Sequence, residues 1–405
     1  MSGFKFDGVI PASKSHFNRA LICASYASDP SSVSPVHLHG DSKCDDVQKM
    51  KQALVAIGSE RTIDCGSAGT VLRFLIFRAS RLAGQHELVG SKRLMSRPQE
   101  DLKEIFDQLG VKISLHPERI TVDSAGWRLG GMDLRVSRDK SSQFASGVLL
   151  NAWDLDFPLT ISWSQVGVSE GYWDMTVQLV KDFGMELEQS ANAVFIPAGS
   201  KVKIREYTVE SDLSSAFAIA AYAALNGEAT FRQFPFASLQ PDKVFVAILE
   251  KMGVGVDRGE DQLRIFRRDR SHPLLSGVQW NLNNCPDLFP VLATLCAFAR
   301  GPSRLDGAPH LVFKESNRIA KTAELIQHLG VRTVILDDGM EIHPPPRLVP
   351  PTIPFAFDPD HDHRLAFAAA LVESQGIPIR ILERHVVDKS FPEFWDILKN
   401  NSHPS

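Results

Sequence analysis

Six stretches of this chain share one pattern: a polar cluster leading into a run that is apolar nearly all round. They are SKSHFNRALICASYA near 15, GSAGTVLRFLIF near 67, SSQFASGVLL near 141, SDLSSAFAIAAYAAL near 212, NCPDLFPVLATLCAFA near 286 and DHDHRLAFAAALV near 361. Each run predicts a helix, and a helix this apolar has to be buried. The anchors lie 52, 74, 71, 74 and 75 residues apart, so the pattern is an internal repeat. Five of the six starts carry Ser, Thr, Asp or Asn suited to capping a helix N-terminus.

A second element alternates with the first. DLKEIFDQLGVKISL, TVQLVKDFGMELEQ, KVFVAILEKMGVGVD and TAELIQHLGVRTVIL each read as an amphipathic helix, a Gly and a short strand. The Gly predicts a left-handed helix end. VQKMKQALVAIGSERTI is a weaker fifth copy. The unit is therefore buried helix, strands, surface helix, Gly, strand. Six such units predict an α/β protein of two pseudo-threefold domains, residues 14–211 and residues 1–13 plus 212–405. The first gap, 52 against 71–75, is short by about one β-hairpin. EIHPPPRLVPPTIPFAFDPD holds too much Pro for a central strand and reads as edge or loop before the sixth helix. The terminal NNSHPS is expected to fray.

Composition narrows the class. Of 405 residues, 43% are hydrophobic and 23% charged, the balance of a soluble globular protein. A net charge of −4 argues against a general nucleic-acid binder, which needs a basic face. No apolar run approaches the roughly 18 residues of a membrane span. MSGFKFDGVI has no signal-peptide core, so a cytoplasmic location is expected. The five cysteines, Cys23, Cys44, Cys65, Cys285 and Cys296, are odd in number and lack CxxC spacing. They read as reduced thiols, with no zinc site or disulfide framework. His361 and His363 stand two apart and share no helix face, which argues against a metal.

The polar clusters carry the candidate chemistry. Lys14 and Arg19 load cations onto a helix start, where the macrodipole already favours anions. Either they face solvent, or the helix start is built to hold a phosphate or carboxylate. Arg73, Arg97, Arg318, Arg364 and Lys389 extend the cationic set, with hydroxyls from Thr70, Ser141, Ser142 and Ser169. Gly66 and Gly69 would let backbone N–H groups approach a ligand. If the repeat is real, these helix starts converge on a cleft suited to a polyanion. Asp287, Glu315 and Asp362 are carboxylates among cations. A carboxylate weakens anion binding unless it does chemistry, so Asp287 and Glu315 are acid/base candidates. Each feature also has a plain alternative. The serines could only cap helices, Glu315 and Arg318 could be a surface i, i+3 pair worth ~0.2–0.5 kcal/mol, and Cys65, beside the Gly turn, could be a nucleophile or a buried inert thiol.

Ten segments in order, SKSHFNRA, DDVQKM, GSAGTVLRFL, LMSRPQEDL, SSQFASGVLL, YWDMT, PDLFP, FKESNRI, DHRLAF and DKSFPEFW, give the chain a family resemblance. It resembles the 5-enolpyruvylshikimate-3-phosphate synthases over nearly its whole length. The resemblance implies two inside-out α/β domains, each of three βαβαββ units, with the active site in the cleft between them. It implies transfer of enolpyruvyl from phosphoenolpyruvate to the 5-hydroxyl of shikimate 3-phosphate, with release of phosphate, as a step of aromatic amino-acid biosynthesis. No metal or organic cofactor is implied, and no nucleic acid or membrane partner. A monomer is expected.

Carried over by motif, Ser15, Arg19, Ser141, Ser142, Gln143, Ser169, Tyr172, Asp287 and Lys314 would bind shikimate 3-phosphate. Lys14, Gly69, Arg97, Gln143, Arg318, Arg364 and Lys389 would bind phosphoenolpyruvate. Asp287, Glu315 and Lys14 would be catalytic, Asp287 taking the 5-hydroxyl proton and Glu315 handling the methylene proton. Gly69 leaves room beside Thr70 for a slightly longer ligand, so glyphosate should compete with phosphoenolpyruvate. Three features depart from the family. Ser67 stands where Asn is usual, the first unit is short between Asp46 and Gly66, and Asn317 stands where Asp is usual. Asn317 is expected to lose the charge that would orient Arg318. Two rival readings remain at this point. One is the sister enzyme that transfers enolpyruvate to a UDP-amino sugar, although SKRLMSRPQEDL lacks that family's loop cysteine. The other is a non-catalytic anion-binding relative.

Overall fold

Apolar periodicity in this chain is resolved into alternating buried and surface helices. The computed structural model describes residues 3–27, 36–131, 133–164, 167–268, 275–349 and 351–402. The chain divides into two compact units, Ala12–Glu210 and Met1–Pro11 with Ser211–Ser405. Each has its own hydrophobic core.

In the Ala12–Glu210 unit the helices are α1 (Lys14–Ala24), α2 (Asp45–Ala56), α3 (Gly69–Ser80), α4 (Asp101–Gln108), α5 (Gln143–Leu150) and α6 (Glu170–Asp182), besides a single turn at Lys92–Met95. In the other unit they are α7 (Leu213–Asn226), α8 (Phe245–Lys251), α9 (Phe289–Ala297), α10 (Arg318–Gln327), α11 (His363–Ser374) and α12 (Phe394–Asn401). The odd-numbered helices are those of the apolar runs. Within each unit its three odd-numbered helices touch one another pairwise, so helices form the centre and sheets the outside. Each Leu, Ile or Phe fully buried on them contributes roughly 1.5–3 kcal/mol.

Four sheets repeat one design. Thr62–Asp64 runs parallel to Gly84–Val89, which pairs antiparallel with Arg119–Ser124, which pairs antiparallel with Lys112–Leu115. The same order recurs in the sheets built on Leu159–Ser162, Gly227–Arg232 and Ser303–Asp306. Chain order in a full repeat is thus strand, buried helix, strand, surface helix, hairpin. The parallel partner of Gly227–Arg232 is Phe4–Gly8, from the far end of the sequence.

Two repeats are reduced. The first has only His37–His39 beside Glu206–Thr208, and after α2 the chain passes directly into the next sheet. The strand of the weaker fifth copy is therefore the opening strand of the second repeat. The last repeat has only Phe355–Phe357 beside Ile379–Ile381.

The helix ends behave unevenly. Gly110, Gly184, Gly253 and Gly330 have φ of +66°, +103°, +91° and +72°, the left-handed region expected of them. After the first three, the next N–H reaches five residues back, as in Val111 to the Phe106 carbonyl at 2.8 Å. The expected N-caps hold at only three of the six buried helices. Ser13, Asp212 and Asp362 side chains accept from the backbone of α1, α7 and α11. Helix α3 begins after Ala68, α5 after Ser142 without a side-chain cap, and α9 through a Pro286–Leu288 turn.

The proline-rich stretch divides. Glu341–His343 belongs to Gly339–His343, an interior strand, because its prolines start one residue beyond the strand's end. Only Phe355–Phe357 behaves as an edge. At the C-terminus, Asn400 and Asn401 close α12 and Ser402 bridges to Phe4, so the expected fraying does not apply to them. Residues 403–405 of that stretch lie outside the described residues.

Candidate active site

The expected site residues fall into two sets, one in each unit. In the Ala12–Glu210 unit, α1, α3 and α5 bring their N-terminal ends together. Lys14, the first residue of α1, is buried and donates to Asp46 at 2.8 Å. Its charge is therefore not spent on solvent. Arg19 is 1% exposed and donates to Thr176 Oγ1 at 2.7 Å and to the Ser15 carbonyl at 2.8 Å. Its guanidinium lies over Phe74 and Tyr172. Burial draws its pKa down to about 10, which still leaves it charged at neutral pH.

Arg73 ties α3 to α5. Its Nη1 donates to Ser141 Oγ at 3.1 Å and Gln143 Oε1 at 3.0 Å, and its Nη2 to the Pro98 carbonyl at 2.9 Å. Ser141 Oγ also accepts from the Gln143 N–H at 3.2 Å, so Ser141 rather than Ser142 tends this helix start. Ser142 is buried, and Ser169 precedes α6 in a left-handed conformation, φ 58°. Tyr172 lies in the first turn of α6 and is half-buried. Arg97 is buried against Gly69, and its Nε has no partner among the described residues. A Cβ on Gly69 would lie 2.6 Å from Arg97 Nη1, so only glycine leaves the guanidinium where it is. Gly66, at φ +57°, accepts at its carbonyl from Ser91 N–H at 2.7 Å.

The second set gathers at the N-terminal ends of α7, α9 and α11. Arg318, 1% exposed, opens α10 and touches three carboxylates: Asp362 Oδ2 at 2.8 Å, Asp287 Oδ1 at 2.8 Å and Glu315 Oε2 at 2.9 Å. Arg364 donates to Asp287 Oδ2 at 2.7 Å and Ser214 Oγ at 3.0 Å. Lys314 lies 4.0 Å from Asp287, and Lys389 3.6 Å from Glu315. Four cations thus surround three carboxylates. Burial pushes the Asp287 pKa up, but Arg364, Arg318 and Lys314 outweigh it and hold the carboxyl well below its ordinary range. Burial likewise opposes the charge on Arg318, and Asp362, Glu315 and Asp287 override it and raise its pKa.

One alternative reading falls here and one expectation changes. Glu315 and Arg318 are not a surface pair but members of this buried cluster. Asn317 does not leave Arg318 unoriented. Its Oδ1 accepts from Ala320 N–H at 3.1 Å and caps α10, while Asp362 supplies the charge that fixes the guanidinium. Asp362 in turn accepts from Ser316 Oγ at 3.1 Å and caps α11.

Sequence reasoning missed Asp46, Thr176, Ser214 and Ser316 as partners. All four lie in segments quoted above, Asp46 in DDVQKM, Thr176 in YWDMT, Ser214 in SDLSSAFAIAAYAAL and Ser316 in FKESNRI, but their partners did not show because pairing across repeats has no fixed spacing along the chain. The five cysteines are buried and free, and burial raises Cys65 far above an active thiol. Among the described residues no three His, Cys, Asp or Glu side chains group as a metal site would need.

The chain matches the family model EPSP synthase (3-phosphoshikimate 1-carboxyvinyltransferase) over residues 46–398. It is 31% identical to the 3-phosphoshikimate 1-carboxyvinyltransferase of Clostridium acetobutylicum, covering 98% of this chain and 94% of that one. The protein of the same name from Syntrophobacter fumaroxidans is 32% identical, with 98% and 97% covered. Among solved structures, EPSP synthase from Acinetobacter baumannii superposes with a TM-score of 0.76 at 20% identity, covering 99% of this chain and 96% of that one. The enolpyruvyl transferase NikO from Streptomyces tendae gives 0.74 at 16% identity, covering 99% and 97%. These two speak for the fold. With the family model spanning most of the sequence, and relatives above 30% identity along nearly all of it, the chain belongs to the EPSP synthase family.

Proposed function

We propose that the protein joins the enolpyruvyl group of phosphoenolpyruvate to the 5-hydroxyl of shikimate 3-phosphate and releases phosphate. The observation that carries this reading is the cluster around Arg318, where two carboxylates, Asp287 and Glu315, are held among four cations. A site for anions alone would have no use for them.

In this reading Ser15, Arg19, Ser141, Ser142, Gln143, Ser169, Tyr172 and Lys314 hold shikimate 3-phosphate. Lys14, Gly69, Arg97, Gln143, Arg318, Arg364 and Lys389 hold phosphoenolpyruvate. The 5-hydroxyl oxygen bonds to C2 of phosphoenolpyruvate as its proton passes to Asp287, and C3 gains a proton from the Glu315–Lys389 side. Elimination then removes a proton from C3 and breaks the C2–O bond to phosphate. Arg318 and Arg364 now satisfy Asp287. When the carboxylate and phosphate of phosphoenolpyruvate accept those hydrogen bonds instead, Asp287 loses the cations that depress it. It then becomes a better base, as proton transfer requires. No metal or organic cofactor has a step in this scheme.

A monomer in a reducing cytoplasm completes the reading. The five buried free cysteines support the compartment, and no helix among the described residues is long and apolar enough to cross a membrane. Sedimentation tests the monomer. Phosphate release from phosphoenolpyruvate in the presence of shikimate 3-phosphate tests the reaction, with UDP-N-acetylglucosamine as control acceptor.

A further inference from the structure

At the opposite end of α7, α9 and α11 from the Arg318 cluster lies a cavity of about 480 Å³ that the proposed reaction does not use. Leu225, Ala297 and Phe298 come from the helix ends, and Val254 and Leu348 complete an apolar floor. The Asp287–Ser214–Arg364 contacts sit at the N-terminal ends of the same helices. The length of α7 alone separates the two places by about 20 Å. One small ligand cannot occupy both.

The rim of this cavity is cationic. Arg267, Arg268, Arg300 and Arg347 line it, and no Asp or Glu does among the described residues. Arg267 serves the fold: its Nη1 donates to the Leu225 carbonyl at 3.2 Å, at the negative end of α7. Arg268, Arg300 and Arg347 are exposed, and among the described residues neither Arg300 nor Arg347 stands in an ion pair with a carboxylate. The guanidinium groups of Arg300 and Arg347 therefore exceed what the helix end needs. The cavity size falls within the range of small-molecule sites. An apolar floor takes a hydrocarbon body, and guanidinium forks at the mouth take a planar carboxylate. The floor and the helix carbonyl ends both disfavour a second negative charge deep inside.

We propose that this cavity binds a small aromatic monocarboxylate, ring inward and carboxylate on the arginine rim. The inference does not depend on the reaction proposed above.

The test is calorimetric titration of the full chain with 1-naphthylacetate and its neutral counterpart 1-naphthylacetamide. The acid should bind at least ten-fold more tightly than the amide. In Arg300→Gln with Arg347→Gln, both at exposed positions, the acid's affinity should fall to that of the amide. Saturating phosphoenolpyruvate and shikimate 3-phosphate should leave the acid's affinity in the parent unchanged. Equal affinities of acid and amide, no binding of the acid, or an unaltered double variant would each overturn the proposal. So would displacement by the two substrates, which would put the acid at the Arg318 cluster.

Discussion

Arg318 is satisfied by three carboxylates at once, and that single side chain explains why the candidate site can be both cationic and catalytic. Asp287→Asn and Glu315→Gln keep shape and remove proton transfer, so kcat should fall ~10²–10⁴-fold in each. Calorimetric binding of shikimate 3-phosphate should stay near that of the parent. Retention of more than about a tenth of kcat would make that carboxylate a structural partner of Arg318 and nothing more. Gly69→Ala acts differently. The new methyl would displace the Arg97 guanidinium, the far end of a flexible side chain, so stability should hold while the KM for phosphoenolpyruvate rises roughly ten-fold. An unchanged KM would remove Arg97 from the phosphoenolpyruvate set, and competitive inhibition by glyphosate should weaken in parallel. His310 supplies a pH signature. Burial, then Lys314 and Arg318, pull its pKa from 6.5 to about 3 against the opposing charge of Asp287. The unfolded chain therefore binds this proton below pH 6.5 and the folded chain does not, so stability falls as pH drops from 6.5 toward 3. Between pH 7 and 4.5 urea melts should lose about 2–3 kcal/mol through this group, and His310→Gln should abolish that share of the loss.

At the scale of elements, two glycines separate backbone geometry from packing. Gly330 sits at φ +72° with open space around its Cβ position, so Gly330→Ala should cost about 1–2 kcal/mol through conformation alone. Gly147 has an ordinary φ, but a Cβ there would lie 2.5 Å from Phe77 and 2.6 Å from the Arg73 carbonyl, where α3 and α5 cross. Gly147→Ala should cost a further margin, typically 1–3 kcal/mol, and loosen Arg73 from Ser141 and Gln143. Urea midpoints of the two variants check the contrast, and an unshifted midpoint for Gly147→Ala would mean the crossing can open freely. The helices and their glycine ends were legible in the sequence because each is written locally, in spacing and one residue type. The caps were less so. A polar residue before an apolar run looks the same whether it only caps its own helix, as Asp212 does, or also serves a neighbour, as Ser141 does for Arg73. Proline misled at Glu341–His343 because composition over a window hides the fact that the prolines begin just past the strand.

At the scale of the molecule, six repeats and the short first one were readable from spacing. The pairing of Phe4–Gly8 with Gly227–Arg232, and of His37–His39 with Glu206–Thr208, was not. Strand partners so distant in sequence leave no periodic signal, and the reduced last repeat is invisible in the gaps because it closes the chain. The candidate site was legible to the extent that the repeat marked helix starts and the family resemblance marked residues. Its internal wiring, from Asp46 to Lys14 and from Asp362 to Arg318, had to be seen in three dimensions. One reaction bears on all of this most directly. Purified full-length protein with phosphoenolpyruvate and shikimate 3-phosphate should release phosphate in step with loss of phosphoenolpyruvate, and should release none when UDP-N-acetylglucosamine replaces shikimate 3-phosphate. Absence of phosphate release with shikimate 3-phosphate, or equal release with the control acceptor, would contradict the proposed function.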